Sequence, residues 1–166
     1  MKPIVCARMH KAAGGGGGPT AYRYWRFLFS ANNGAGAPYF IGLAKASLLD
    51  AGAVNRADIT QSPTTTASSF DSGSSPSNAA DNDNNSEWVC QEGALPVWLA
   101  FDITAAFSIV SYKLKAQRIV GDSRAPQAWK LQANNSSAGA GETWIDIHTV
   151  AGESAWSNLE ERTYTI

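Results

Sequence analysis

The 166-residue chain is poor in the residues on which metal and thiol chemistry depends: it has two cysteines, Cys6 and Cys90, and two histidines, His10 and His148. None stands in a CxxC or Cys/His spacing, which excludes a zinc knuckle, and two distant cysteines make no disulfide framework. Cys90 reads as a small buried hydrophobe, whereas Cys6 lies in the N-terminal tail. Charge is also scarce. Thirteen basic residues against fourteen acidic ones leave a net charge of −1, so no global field draws the protein to nucleic acid or to an anionic membrane. Any partner is recognised locally. No apolar run approaches the ~20 residues that span a bilayer. The opening MKPIVCARMHKAAGGGGG has no apolar core of signal-peptide length, which predicts neither membrane insertion nor export by a standard signal. A sustained helical period is missing throughout.

What is present favours sheets. Six Trp, six Phe and five Tyr occur among only 16% charged residues, enough to fill the core of one domain. Residues 1–20, with Gly14–Gly18, are too permissive to fold alone and read as a flexible arm, either a disordered terminus or an anchor that docks on a partner; residues 21–166 read as the folded domain. Ala21–Ser30 alternates Arg23, Trp25, Phe27 and Phe29 with Tyr22, Tyr24, Arg26 and Leu28, the period of a strand, and Asn32-Asn33-Gly34 ends it. A second strand is expected over 39–49, then a polar connection over 50–66 and a long loop over 67–87. Period-two patterns predict strands at 98–103, 109–117, 128–133, 143–149 and 162–166. The fold class expected is all-β, a jelly-roll β-sandwich of about eight strands.

Several motifs then occur in a telling order. Ala67-Ser68-Ser69, Pro76-Ser77-Asn78-Ala79-Ala80-Asp81, Trp88, Trp98-Leu99-Ala100-Phe101-Asp102 and Arg124-Ala125-Pro126-Gln127-Ala128-Trp129-Lys130-Leu131 resemble the discoidin, or coagulation factor 5/8 type C, pattern of the galactose-binding-like domains, and Trp144 resembles a later family tryptophan. The resemblance covers roughly residues 60–166. The family's usual final segment is similar to YRYWRFLF and LAKASLL, which come first here, so the domain resembles a circular permutation of the family; close termini make such a rearrangement compatible with one core. On that basis residues 21–49 are expected to pair with 143–166. The YRYWR opening is similar to that of bacteriophage virion proteins.

The resemblance implies candidate sites. Asp81, Asp83 and Ser86 occupy a family loop that often holds calcium, and closely spaced oxygens suit a hard cation. Lys45 stands where the family has a glutamate ligand, so the competing expectation is a metal-free loop in which the ammonium pairs with Asp81. For a glycan, Trp156 is the tryptophan least explained by strand packing, with Arg118, Arg124 and His148 as polar partners; Trp25, Trp98, Trp129 and Trp144 stand at core-like positions. Catalytic patterns are poor. Gly121-Asp122-Ser123 lacks a following helix pattern, neither histidine stands in a D-x-x-H context, and no G-K-[ST] follows Gly14–Gly18. The chain is therefore expected to be a non-enzymatic phage virion protein: a decoration, fibre, tail or baseplate module, made in the host cytoplasm. Residues 1–20 would contact other virion proteins, and the sandwich, in several copies, would reach a host surface glycan. The alternatives are a free carbohydrate-binding lectin module and a purely architectural subunit.

Overall fold

A computed structural model describes residues 20–34, 40–91, 93 and 95–166, the side chain of Asp122 excepted. The expected arm lies outside the described residues apart from Thr20, as do Cys6 and the first residue of the expected second strand. The described residues hold nine strands: β1 (Tyr22–Asn32), β2 (Gly42–Asp50), β3 (Thr64–Ala67), β4 (Trp88–Val89), β5 (Val97–Phe107), β6 (Ile109–Ala116), β7 (Pro126–Asn134), β8 (Ile145–Val150) and β9 (Glu161–Thr165). They form two antiparallel sheets, β3-β5-β1-β7-β8 and β4-β2-β6-β9, which make an all-β sandwich. The only α-helix among the described residues is one turn, Gly121–Arg124.

The alternation of each strand builds the core. β1 turns Trp25, Phe27 and Phe29 inward, β5 adds Leu99, Phe101 and Ile103, and β7 adds Trp129, Leu131 and Ala133. From the other sheet come Leu43, Ala46, Leu48, Tyr112, Leu114 and Ala116. Phe27 joins the layers, with ring centroids 6.3 Å from Phe101 and 5.4 Å from Tyr112. Each large apolar side chain withdrawn from water in this way contributes about 1.5–3 kcal/mol.

Two features depart from the sequence-based expectation. The stretch expected to be a polar connection contains β3, which pairs with β5 from Thr64↔Asp102 to Ala67↔Leu99. The expected pairing of residues 21–49 with 143–166 is not direct: β7 lies between β1 and β8, and β6 lies between β2 and β9. The two ends of the chain share the core through those intermediaries, as Tyr164 stacks on Tyr112 at 5.0 Å and meets Trp129 edge-on at 5.1 Å.

A register shift in β2 between Leu43 and Lys45 changes which parity faces inward. Leu43 is buried, but beyond the shift Ala46 and Leu48 carry the core parity, so Lys45 lies on the opposite parity with Leu49 and the covered Ser47. At the end of the sandwich where β1 begins, Thr20, Tyr22, Trp25, Ile109, Ile147 and Ile166 line a pocket of about 170 Å³.

Candidate functional site

Of the residues expected to contact a glycan, Trp156 and His148 are engaged inside the sandwich. Trp156 is 3% exposed, its indole N–H donates to the Pro126 carbonyl at 3.1 Å, and the Arg162 guanidinium covers its ring at 4.1 Å. It is a core residue that closes one end of the sandwich, so its ring offers no stacking surface. His148 belongs to an inter-sheet chain. The Trp129 indole can only donate, and it donates to the Tyr112 hydroxyl at 3.0 Å; that hydroxyl also shares a hydrogen bond with His148 Nδ1, at 3.0 Å. Desolvation between the sheets pushes the Tyr112 hydroxyl well above its ordinary pKa, so it stays neutral. Arg124 lies over Phe40 at 4.5 Å, tying helix to chain entry, and Arg118 is exposed with its backbone N–H on the Glu87 carboxylate.

The loop expected to hold calcium is held by its own hydrogen bonds. Asp81 accepts from the Asp83 N–H at 2.9 Å and from the Ser86 hydroxyl at 2.6 Å, which occupies both carboxylate oxygens. Asp83 in turn accepts from the Asn85 N–H at 2.8 Å. Ser86 serves here as a donor to Asp81, whereas a calcium cage would need six to eight oxygens turned inward. Among the described residues no group of three or more His, Cys, Asp or Glu side chains gathers for a metal. The expected Lys45–Asp81 pair is also absent. Lys45 Nζ instead bonds the Asn82 side-chain oxygen and lies 4.0 Å from Asp58 Oδ2, while Asn82 Nδ2 donates to that same Asp58 oxygen. Burial alone would raise the Asp58 pKa, but hydrogen bonds from Asn82 and Thr60, with the Lys45 charge, outweigh it and hold the carboxyl below its ordinary value.

A different surface combines aromatic rings with polar groups. On the outer face of the five-stranded sheet, Trp98 stands opposite Leu28, and Tyr24 stands opposite Asp102. Both aromatics are half-buried, as is Trp144 at the approach to β8. The Arg26 guanidinium lies over the Trp144 ring at 4.3 Å and donates through Nε to Gln132 at 2.7 Å. Gln132 Nε2 donates to Asp146 at 2.6 Å, and Lys130 donates to the other oxygen of Asp146, also at 2.6 Å. Those two donors hold the Asp146 carboxyl below its ordinary pKa, so it remains an anion at neutral pH. Expected core positions Trp98 and Trp144 are thus partly surface residues. Their signal in the sequence was there to use: Tyr24, Arg26 and Leu28 form the second face of an alternating strand whose first face already fills the core.

A scan of protein-family models and a search of curated proteins each find no match to this chain. Among the described residues no helix is long and apolar enough to cross a membrane.

Proposed function

We propose that this chain is a non-enzymatic virion structural protein of a bacteriophage, made in the host cytoplasm, whose discoidin-like, circularly permuted sandwich recognises a host surface glycan. The discoidin-like part of the reading rests on the ordered motifs from Ala67 to Leu131, and the virion part on the YRYWR opening. The glycan part rests on one observation: three half-exposed aromatics, Tyr24, Trp98 and Trp144, share a face with the Arg26–Gln132–Asp146–Lys130 array. A sugar presents an apolar C–H face and a rim of hydroxyls, so a ring plane beside fixed donors and acceptors meets both needs. This moves the recognition surface from the end loops to the sheet. A shallow face of this kind binds weakly, and several copies on one particle supply avidity. Residues 1–20 serve as the tether to other virion proteins; Thr20, the one described residue among them, lines the pocket together with Ile166.

The test is glycan-array binding by the full chain, with Trp144→Ala and Trp98→Ala as controls. Retention of a discrete glycan set, weakened at least tenfold by either variant, is expected. No retained glycan, or retention indifferent to both variants, overturns the site. Peptides of this chain found only outside purified particles overturn the virion assignment.

A further inference from the structure

Lys45, Asn82 and Asp58 are far apart in sequence, yet their reactive atoms meet in one triangle. The register shift in β2 sends Lys45 outward toward the loop that follows the Pro76–Ala79 turn. Asn82 has φ +63°, a left-handed conformation that asparagine tolerates, and this aims its carboxamide back at β2. Asp58 caps the short Ile59–Gln61 turn with Oδ1, which accepts from the Thr60 N–H at 2.9 Å and the Thr60 hydroxyl at 2.7 Å; Oδ2 is left to face Asn82 and Lys45. A backbone bond from the Ile59 N–H to the Ala80 carbonyl, 2.8 Å, fixes that turn beside the loop. The carboxamide oxygen bonds Lys45 Nζ, its nitrogen donates to Asp58 Oδ2, and Asp58 Oδ2 lies 4.0 Å from Nζ.

This is an amine, an acyl carbon bearing a leaving group, and a proton carrier in contact, the parts that nucleophilic acyl transfer requires. We propose that Lys45 and Asn82 become joined by an isopeptide bond, with Asp58 as the acid–base catalyst. The Lys45 ammonium, which is partly exposed, gives a proton to water, and the freed amine attacks Asn82 Cγ, so that an Nζ–Cγ bond forms. Asp58, a carboxylate in contact with both nitrogens, relays the attacking nitrogen's extra proton to Nδ2, and the Cγ–Nδ2 bond breaks, the departing ammonia taking back from water the proton that Lys45 released. Nitrogen leaves as ammonium, Asp58 ends as the carboxylate it began as, and no oxidant, reductant or cofactor is consumed. Holding the three groups together supplies the proximity that makes an unactivated amide reactive. The Lys45 and Asp58 side chains are only 23% and 15% exposed, whereas Asn82 lies at the surface, which gives the departing ammonium a way out.

Mass spectrometry of the full chain tests this directly. The expected result is an intact mass lower by one ammonia than the sequence requires, and a branched tryptic peptide that joins the Lys45 and Asn82 segments with cleavage blocked at Lys45. Lys45→Arg should restore the full mass; Asp58→Ala, if its melting transition is cooperative, should restore it or leave only a minor crosslinked fraction. An unmodified wild-type mass after prolonged incubation of the folded protein overturns the proposal. So does an ammonia loss that persists in Lys45→Arg, since that marks cyclisation of Asn82 on its own backbone. Complete crosslinking in Asp58→Ala removes the role given to Asp58.

Discussion

On the outside of the five-stranded sheet stand Tyr24, Leu28 and Trp98, where the four-stranded sheet carries Lys45, Lys113 and Lys115. The polar groups are deployed differently too. Arg26, Gln132, Lys130 and Asp146 bond one another within the face they share, whereas the lysines of the second sheet reach away from their strands: Lys115 to Asn84 at 2.8 Å, Lys45 to Asn82, and Lys113 across to Glu161 at 2.9 Å. One face is left open, and the other is spent on fastening a loop. Both derive from strands of similar alternation, so what separates them is the residue type on the non-core parity and not the fold.

That contrast can be broken in three ways. The largest effect is expected from Trp156→Ala, which empties a buried site shared by β7 and the loop before β9, and should cost about 3–5 kcal/mol in denaturant unfolding. The same truncation at Trp144, on the open face, should cost far less stability while abolishing glycan retention; equal losses at the two tryptophans would erase the distinction between core and face. Next comes Lys45→Arg. If the crosslink forms, its removal frees a segment spanning 37 residues, and chain-entropy arguments of the kind applied to disulfides put the loss at about 4 kcal/mol. Glycan retention should be untouched, and a drop in retention would mean that the two faces are coupled. The smallest effect is that of acid. Asp102, through its bond from Arg23, and Asp146, through Lys130, are held below their ordinary values on the open side, as is Asp58 on the other. Carboxyls depressed in the folded state stabilise it above the unfolded value and lose that contribution as pH falls through the folded one. The melting temperature should therefore be flat above about pH 5 and decline below about pH 4, with Asp146→Asn shallower than wild type. A melting temperature that rises below pH 4 contradicts the assignment.

The strands that build the core were legible because burial imposes period two on β1, β5, β6 and β7, and no other arrangement explains that alternation. β3 was not, since an edge strand of Thr64, Thr65 and Thr66 exposes every second residue and has the composition of a loop. Trp156 misled for a related reason: it sits in an irregular segment, where no period says which way a side chain turns, and the Pro126 carbonyl and the Arg162 guanidinium define its place. The Lys45–Asn82–Asp58 triangle has no linear motif at all. A substituted ligand position drew attention to Lys45, but its partners are set by a β2 register shift and a left-handed asparagine, both tertiary facts.

The place of β1 has a consequence for how the molecule comes into being. Among the described strands it is the earliest in sequence and the central one of its sheet, and its neighbours are β5 and β7. Until the ribosome has delivered Asn134, the aromatic strand that carries Trp25, Phe27 and Phe29 has at most one partner, and before Phe107 it has none. Such long-range pairing slows folding and leaves an apolar strand edge open to neighbouring chains in the meantime. The nascent chain is thus most prone to aggregate during the synthesis of its middle third, and co-expressed chaperones should raise the soluble yield more than any substitution on the finished surface.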